Sequence, residues 1–126
     1  MFSEWYIEKK LKKLDKKKFK KSYIKVIKKL IKKINLKNDT FVHRDFHISN
    51  LMMVKNEIGI IDSQDALIGN KAYDLASLID DVRFKTSEKF KNEIFNFYLK
   101  KQKISNRNYL KSDFDIISVL RNLKII

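Results

Sequence analysis

Residues 41–53 read FVHRDFHISNLMM, and this stretch constrains the chain more than any other. It contains both histidines of the protein, and its aspartate, Asp45, stands five residues before Asn50. Because no apolar periodicity runs from Arg44 to Ser49, these residues are predicted to form a loop. An apolar run follows at once, and a second aspartate, Asp62, ends the next apolar run.

The spacing of these polar residues suits phosphoryl transfer. That reaction needs an acceptor hydroxyl held in line, a base that receives its proton, and magnesium ions that neutralise the phosphates. Magnesium prefers hard oxygen ligands, which a carboxylate and an amide can supply. Asp45 and Asn50 stand at opposite ends of one short loop. A β-hairpin of residues 51–54 and 58–61, with Asn56 and Gly59 near its turn, would return Asp62 beside that loop.

Apolar periodicity predicts helices on both sides of the hairpin. Residues 4–34 are expected to form one or two helices, with a break or exposed turn at 15–21, where lysine is dense. Residues 41–42 favour a short strand. Residues 63–71 favour a second loop, because Gly69 and Asn70 are turn-forming residues. Helices are expected to resume over 72–84 and 88–103.

Local signals mark two of the later helix starts. Ser87 is a suitable N-cap for the helix that begins at Glu88. Ser112 and Asp115 have the spacing of a capping box, which predicts a last helix from there to the end of the chain. Asp80 and Asp81 would diverge on a helix, and a solvated face is the interpretation we favour for them. The whole pattern predicts one α+β domain at most, mostly helical, with a short β-hairpin.

Composition excludes several classes of protein. The 126 residues include no cysteine, so the chain can form neither disulfides nor thiolate metal sites. No apolar run approaches the ~20 residues that span a bilayer, and the N-terminus lacks the basic-then-apolar order of a signal peptide. These features predict a cytoplasmic protein without a membrane span.

The net charge of +14 has two interpretations. Lysine supplies 25 of the 29 basic residues and arginine only four, and proline is absent. Compositional bias that adds lysine to solvated faces explains this pattern, and so would a surface that binds polyanions. Because arginine is the better bidentate ligand of phosphate and guanine, a nucleic-acid partner is not favoured.

The loop itself resembles a known catalytic loop. His43, Arg44 and Asp45, with Asn50, are similar to the loop shared by protein kinases and the aminoglycoside phosphotransferase family. The histidine at position 47 makes it more similar to the aminoglycoside phosphotransferase and choline kinase branch. The segments IIDSQDAL at 60–67 and AYDLASL at 72–78 strengthen the match. They resemble most a bacterial subgroup of anomeric kinases of N-acetylmuramate and N-acetylglucosamine, which serve cell-wall sugar recycling.

The resemblance implies a protein-kinase-like C-terminal lobe, ATP and Mg²⁺ as cofactors, and a small hydroxylated substrate, most simply an amino sugar. It implies no specific protein partner. Carried over by position, it makes Asp45 the catalytic base. It makes Asn50 and Asp62 the magnesium ligands. It assigns His43, Arg44 and Asp74 to support of the catalytic loop, with Asp74 hydrogen-bonded to the loop backbone. It places His47, Gln64 and Asp65 near the acceptor.

Two departures from the family pattern stand out. Ser63 occupies the place where members of the subgroup usually carry phenylalanine after the magnesium aspartate. Gly59 and Gly69 are the only glycines, so the chain has no glycine-rich phosphate loop. Residues 1–126 are therefore expected to be a partial phosphotransferase domain that lacks the N-terminal nucleotide lobe and the C-terminal end, and to be inactive alone.

Three alternatives remain at this point. The acceptor could be an aminoglycoside, choline or another small alcohol. The chain could instead be a basic, non-catalytic module that binds nucleic acid or an anionic surface through its N-terminal lysine-rich helices. The four-residue spacing of His43 and His47 could suggest zinc, but Arg44 stands where the metalloprotease pattern has glutamate, and no helix is expected there.

Overall fold

The computed structural model describes residues 13–102, 104 and 106–125. Within these residues, four α-helices and two small antiparallel sheets form an α+β fold, as predicted. The helices are α1 (Lys13–Ile31), α2 (Ala72–Ile79), α3 (Glu88–Lys101) and α4 (Arg107–Ile125). The strands are β1 (Asn38–Val42), β2 (Leu51–Val54), β3 (Glu57–Ile60) and β4 (Leu67–Asn70). A single 3₁₀ turn, Ile48–Asn50, precedes β2.

The predicted break in the first helix is wrong, because α1 runs without interruption through residues 15–21. Lysine is a good helix former, and no glycine or proline interrupts the segment. Residues 4–12 lie outside the described part of the chain. Tyr23, Ile27 and Leu30 form the half-buried stripe of α1, which contacts α4.

The predicted hairpin is confirmed, with one correction to its turn. Strands β2 and β3 pair from Leu51 opposite Ile60 to Val54 opposite Glu57. The turn is Lys55-Asn56, and both residues have positive φ, 47° and 67°. Two such residues form the type of tight turn whose twist matches that of a hairpin. The glycine expected near the turn, Gly59, lies inside β3.

The expected loop at 63–71 is only partly a loop, because its second half is strand β4. This strand pairs antiparallel with β1, Val42 opposite Leu67 and Thr40 opposite Gly69. A Cβ at Gly69, predicted to be a loop residue, would lie 3.1 Å from Leu67 Cδ1 and 3.2 Å from Val42 Cγ2. The glycine thus serves close strand packing rather than a turn.

Helix α2 ends at Ile79, five residues earlier than predicted. The Asp81 carboxylate accepts a hydrogen bond from the Arg83 backbone N–H at 2.9 Å, and this local turn competes with continuation of the helix. Asp81 is buried, so the solvated face expected for the Asp80–Asp81 pair is wrong for Asp81.

The two predicted caps have different outcomes. The Ser87 cap is confirmed, since its hydroxyl accepts a hydrogen bond from the Phe90 N–H. The capping box at 112–115 is wrong, because α4 already begins at Arg107. There the Asn106 side chain accepts a hydrogen bond from the Tyr109 N–H at 3.1 Å, the role of an N-cap.

The core lies where α2, α3 and α4 meet. Phe95 of α3 packs edge-to-face on Phe114 of α4, with ring centroids 5.6 Å apart. Small residues on α2 let α4 approach closely. The buried core residues are Ala72, Leu75, Ala76, Ile79, Phe95, Leu110, Phe114 and Ile117. By contrast, both sheets expose apolar side chains, among them Phe41, Met53, Ile58 and Ile68. No helix in the described part of the chain is long and apolar enough to cross a membrane.

Candidate active site

Strand pairing brings the two polar loops together. The first loop, residues 43–50, leaves the end of β1, and the second, residues 61–66, leads into the start of β4. Since Val42 pairs with Leu67, both loops lie at one end of the β1–β4 ladder. Two hydrogen bonds join them directly: the Ile61 N–H donates to the Asn50 carbonyl at 3.1 Å, and the His43 Nε2 lies 3.0 Å from the Ile61 carbonyl.

The start of the first loop is held from both sides. The Asp74 carboxylate of α2 accepts hydrogen bonds from the backbone N–H groups of His43 and Arg44, at 2.7 and 3.0 Å. On the other side, the Arg121 guanidinium of α4 donates to the Arg44 carbonyl at 2.8 Å. Arg44 has a φ of 74°, which is costly for a residue with a side chain. These contacts from two helices stabilise that conformation.

Asp45 presents a free carboxylate. Its backbone carbonyl accepts hydrogen bonds from the Asn50 side-chain amide at 2.9 Å and from the His47 N–H at 3.0 Å. The Asp45 side chain is half-buried and makes no hydrogen bond to the described residues. It is therefore able to accept a proton from a bound hydroxyl.

Asn50 and Asp62 carry the oxygens that could hold a magnesium ion. Asn50 uses its NH₂ group to bind the Asp45 carbonyl, which fixes the amide and leaves Oδ1 as the atom that could bind a cation. Asp62 has a φ of 69°, a strained conformation of the kind found at functional sites. One carboxylate and one amide oxygen fit the hard-oxygen preference of Mg²⁺. Within the described residues, no three His, Asp or Glu side chains form a larger metal cluster.

The residues assigned to the acceptor side are less tightly held. Gln64 donates from Nε2 to Asp62 Oδ1 at 2.6 Å, which ties it to the second loop. Asp65 is exposed, and its carbonyl accepts a hydrogen bond from the Arg44 guanidinium at 3.3 Å. The Nδ1 atom of His47 is buried without a hydrogen-bond partner among the described residues. Gln64 thus contacts the predicted metal ligand Asp62, and the acceptor-side roles of His47, Gln64 and Asp65 stay predictions.

His43 is buried, and its ring packs edge-on to Phe46 at 6.1 Å. Because its Nε2 faces the Ile61 carbonyl, which is an acceptor, Nε2 carries a proton and donates this hydrogen bond. Its Nδ1 has no hydrogen-bond partner in the described part of the chain. His43 therefore links the two loops through one hydrogen bond and packs against Phe46 within the first loop.

Arg83 is a charged residue beside the first loop that no sequence pattern identified. Arg83 binds the Asp81 carboxylate with two hydrogen bonds from Nε, at 2.8 and 3.1 Å. This contact raises the pKa of Arg83, and the negative charge of Asp45 adds to the rise. The same hydrogen bonds lower the pKa of Asp81, and the charge of Arg121 adds to that effect. The guanidinium groups of Arg83 and Arg121 thus lie close to the Asp81 carboxylate, and that of Arg83 also lies close to Asp45.

Arginine usage is the signal that could have found these residues. In a chain with 25 lysines, only Arg44, Arg83, Arg107 and Arg121 are arginines. Three of the four lie around the candidate loop, at positions where a planar guanidinium binds a carbonyl or a carboxylate. Where composition favours lysine, a retained arginine indicates a position that needs this geometry.

The fold and the two loops define a kinase-like phosphotransferase lobe. The family model described as the phosphotransferase enzyme family, APH, matches residues 2–111, and the chain belongs to that family.

Curated relatives agree with this family. The chain is 31% identical over 90 residues to the N-acetylmuramate/N-acetylglucosamine kinase of Neisseria meningitidis serogroup B (71% of this chain, 27% of the relative). It is 33% identical over 93 residues to the protein of the same name from Pseudomonas aeruginosa (68% and 27%). A third protein of that name, from Caulobacter vibrioides, is 26% identical over 91 residues (68% and 25%). The chain thus spans about a quarter of the length of the curated relatives it matches.

Proposed function

We propose that this chain is part of a kinase that transfers the γ-phosphate of ATP to a hydroxyl of an amino sugar, N-acetylmuramate or N-acetylglucosamine, in cell-wall sugar recycling. The names of the three relatives support the substrate class. The observation that carries the proposal is the hydrogen-bonded pair of loops, in which Asn50 binds the Asp45 carbonyl and also accepts from the Ile61 N–H. We also propose that the protein is located in the cytoplasm, where ATP is available.

In the proposed reaction, Asp45 acts as the base. The sugar O–H bond breaks, its proton goes to the Asp45 carboxylate, and the oxygen forms a bond to the γ-phosphorus while ADP leaves. Asn50 Oδ1 and the Asp62 carboxylate would hold Mg²⁺, which neutralises phosphate charge when bound. Asp74 and Arg121 support the loop backbone from opposite sides, so that the Asp45 carboxylate keeps one orientation.

Residues 1–126 would supply the C-terminal-lobe side of the site and neither a glycine-rich phosphate loop nor the C-terminal end. We therefore propose that the 126-residue chain is inactive alone. A coupled assay for ADP release, with the purified chain, ATP, N-acetylmuramate and Mg²⁺, should show no turnover above background. Turnover that Asp45→Asn abolishes would contradict this part of the proposal while supporting the assigned base.

The substrate and the base can be tested in a chimera. The matching segment of the Neisseria relative would be replaced by this chain, which restores the remaining three quarters of a family member. The chimera should phosphorylate N-acetylmuramate and N-acetylglucosamine. Asp45→Asn should lower kcat by about 10²-fold or more, the usual contribution of a general base.

Asp39→Asn is the matched control, because Asp39 is an exposed carboxylate whose only ion pair within the described residues, with Lys71, is long at 3.8 Å. It should leave kcat unchanged. Equal activity of the wild-type and Asp45→Asn chimeras, both folded by circular dichroism, would remove Asp45 as base. Phosphorylation of choline or an aminoglycoside without activity on either amino sugar would keep the kinase and replace the acceptor.

A further inference from the structure

One face of α1 carries lysine and no acidic residue. The helix contains nine lysines and one aspartate, a net +8 of the chain's +14. At 100° per residue, six exposed lysines fall in a sector about 120° wide, and we name this sector the lysine face. Its members are Lys17, Lys18, Lys21, Lys25, Lys28 and Lys29. Asp15, the acidic residue of α1, lies outside the sector.

The charge of the lysine face is uncompensated. None of its six lysines forms an ion pair within the described residues, whereas Lys91 pairs with Asp80 and Glu88, and Lys111 with Asp115. A composition biased toward lysine would place lysines on every helix, as observed. Such a bias does not remove acids from one face while leaving them interspersed on α3 and α4. The segregation on α1 therefore points to an anionic partner.

Apolar side chains border the lysine face. Ile24 and Ile31 lie along one edge of the sector, seven residues apart, and are 42% and 51% exposed. Tyr23, Ile27 and Leu30 are half-buried on the other side of the helix. The outer surface of α1 from Lys17 to Ile31 is thus a strip about 21 Å long, with cations along its centre and branched apolar groups at its margin.

This combination fits a lipid surface better than a nucleic acid. An anionic bilayer offers phosphate groups to lysines and an apolar boundary to adjacent isoleucines. Nucleic-acid surfaces favour arginine and aromatic side chains that stack on bases. Helix α1 has no arginine, and its two aromatic rings, Phe19 and Tyr23, stack on each other at 6.1 Å. We propose that the lysine face binds an anionic phospholipid bilayer, with α1 lying parallel to the membrane surface.

The test uses the full 126-residue chain and vesicle flotation. The chain should bind vesicles of phosphatidylcholine with about one third phosphatidylglycerol, bind pure phosphatidylcholine weakly, and dissociate as salt is raised. Each lysine removed from the face should weaken partitioning about fivefold. Replacing four of them with glutamine should therefore weaken it by at least about 100-fold. The variant is Lys21→Gln, Lys25→Gln, Lys28→Gln and Lys29→Gln.

The matched control removes the same charge elsewhere. Lys55, Lys85, Lys89 and Lys124 are exposed and lie outside α1, and their replacement with glutamine should weaken partitioning far less. An equal loss of vesicle binding in both variants would overturn the proposal, since binding would then depend on net charge and not on the lysine face. Failure to bind the anionic vesicles, or displacement of the chain from them by an equimolar single-stranded RNA, would also overturn it. Both variants should keep the wild-type circular dichroism spectrum, because the substituted side chains are exposed.

Discussion

At the scale of single residues, Arg44 shows how this site combines strain with support. Its left-handed backbone turns the chain between β1 and Asp45, and such a conformation persists only where neighbouring groups determine it. Asp74 binds the N–H side of this residue, and Arg121 binds its carbonyl. The family resemblance pointed to Asp74, which stands 30 residues away. Arg121, 77 residues away, became recognisable only in three dimensions.

Replacement of Arg121 should loosen this loop. The guanidinium is buried, stacks 5.0 Å from the Tyr73 ring centroid, and donates to the Arg44 carbonyl. Arg121→Leu should lower the free energy of unfolding by about 2 kcal/mol, the cost of a buried polar group left unpaired. Amide hydrogen exchange at Asp45 and Phe46 should accelerate, since the loop is no longer held on its carbonyl side.

Arg107→Leu is the control for this prediction, because Arg107 is an exposed arginine that lies 5.5 Å over the Phe95 ring. It should leave exchange in the loop unchanged. The supporting role of Arg121 is wrong if Arg121→Leu lowers the free energy of unfolding in urea less than Arg107→Leu does and leaves amide hydrogen exchange at Asp45 unaltered.

At the scale of elements, α4 organises the polar connections of the fold through Asp113. This carboxylate is fully buried and accepts hydrogen bonds from the backbone N–H groups of Asn35 and Leu36, at 2.8 and 2.9 Å. It also accepts from the Asn70 side-chain amide, at 2.8 Å. One side chain thereby joins α4 to the segment before β1 and to the end of β4. The sequence suggested a capping role for this region, because a short acidic motif looks the same in a helix interior as at a helix start.

Loss of the Asp113 carboxylate should destabilise the fold strongly. Asp113→Ala removes the acceptor of four hydrogen bonds, since the Asn35 side-chain amide also donates to this carboxylate at 3.2 Å. At about 1 kcal/mol for each, the free energy of unfolding should fall by about 4 kcal/mol. Urea denaturation followed by circular dichroism measures this change. Asp115→Ala, on the exposed side of the same helix, should cost less than about 0.5 kcal/mol, because its ion pair with Lys111 is solvated. Similar losses in the two variants would contradict the proposed connection.

At the scale of the whole molecule, the charges are unevenly distributed between its two sides. The lysine face of α1 forms no ion pair within the described residues, whereas the two aspartates after α2 are paired: Asp81 with Arg83, and Asp80 with Lys91 of α3. Hydrogen bonds from Arg83 hold the pKa of Asp81 below its usual value. A carboxylate with a lowered folded-state pKa stabilises the fold above its unfolded pKa, and this contribution disappears as pH falls through the folded pKa.

The pH dependence of the thermal midpoint should show the contribution of the ion pair between Asp81 and Arg83. Asp81→Asn should lower the thermal midpoint at pH 7, and the difference from wild type should shrink as the pH falls below about 4, where the unfolded carboxylate takes up its proton. Thermal denaturation across a pH series measures both. Arg83→Gln should produce a similar profile, and combining the two substitutions should add little, since both remove one interaction. A difference between Asp81→Asn and wild type that stays constant down to the lowest pH would contradict the assignment.

What the sequence determined by itself was local in origin. The helical periods of α2 and α3, the hairpin and the Ser87 cap depend on neighbours a few residues apart, and all were predictable. The loop residues were found through a family motif, which is recognised from residue types and spacing in the sequence alone. Their chemical roles remain predictions.

Tertiary structure decided the features that join distant segments. The pairing of β4 with β1 overrode the turn preference of Gly69 and Asn70, because strand partners 25 to 32 residues apart contribute hydrogen bonds that no local pattern reports. The burial of Asp113 and the contact of Arg121 with the strained Arg44 carbonyl arise in the same way. A polar side chain reveals its partner only when the chain has folded, since local sequence records periodicity and turn preference but not which distant backbone groups need a donor or an acceptor.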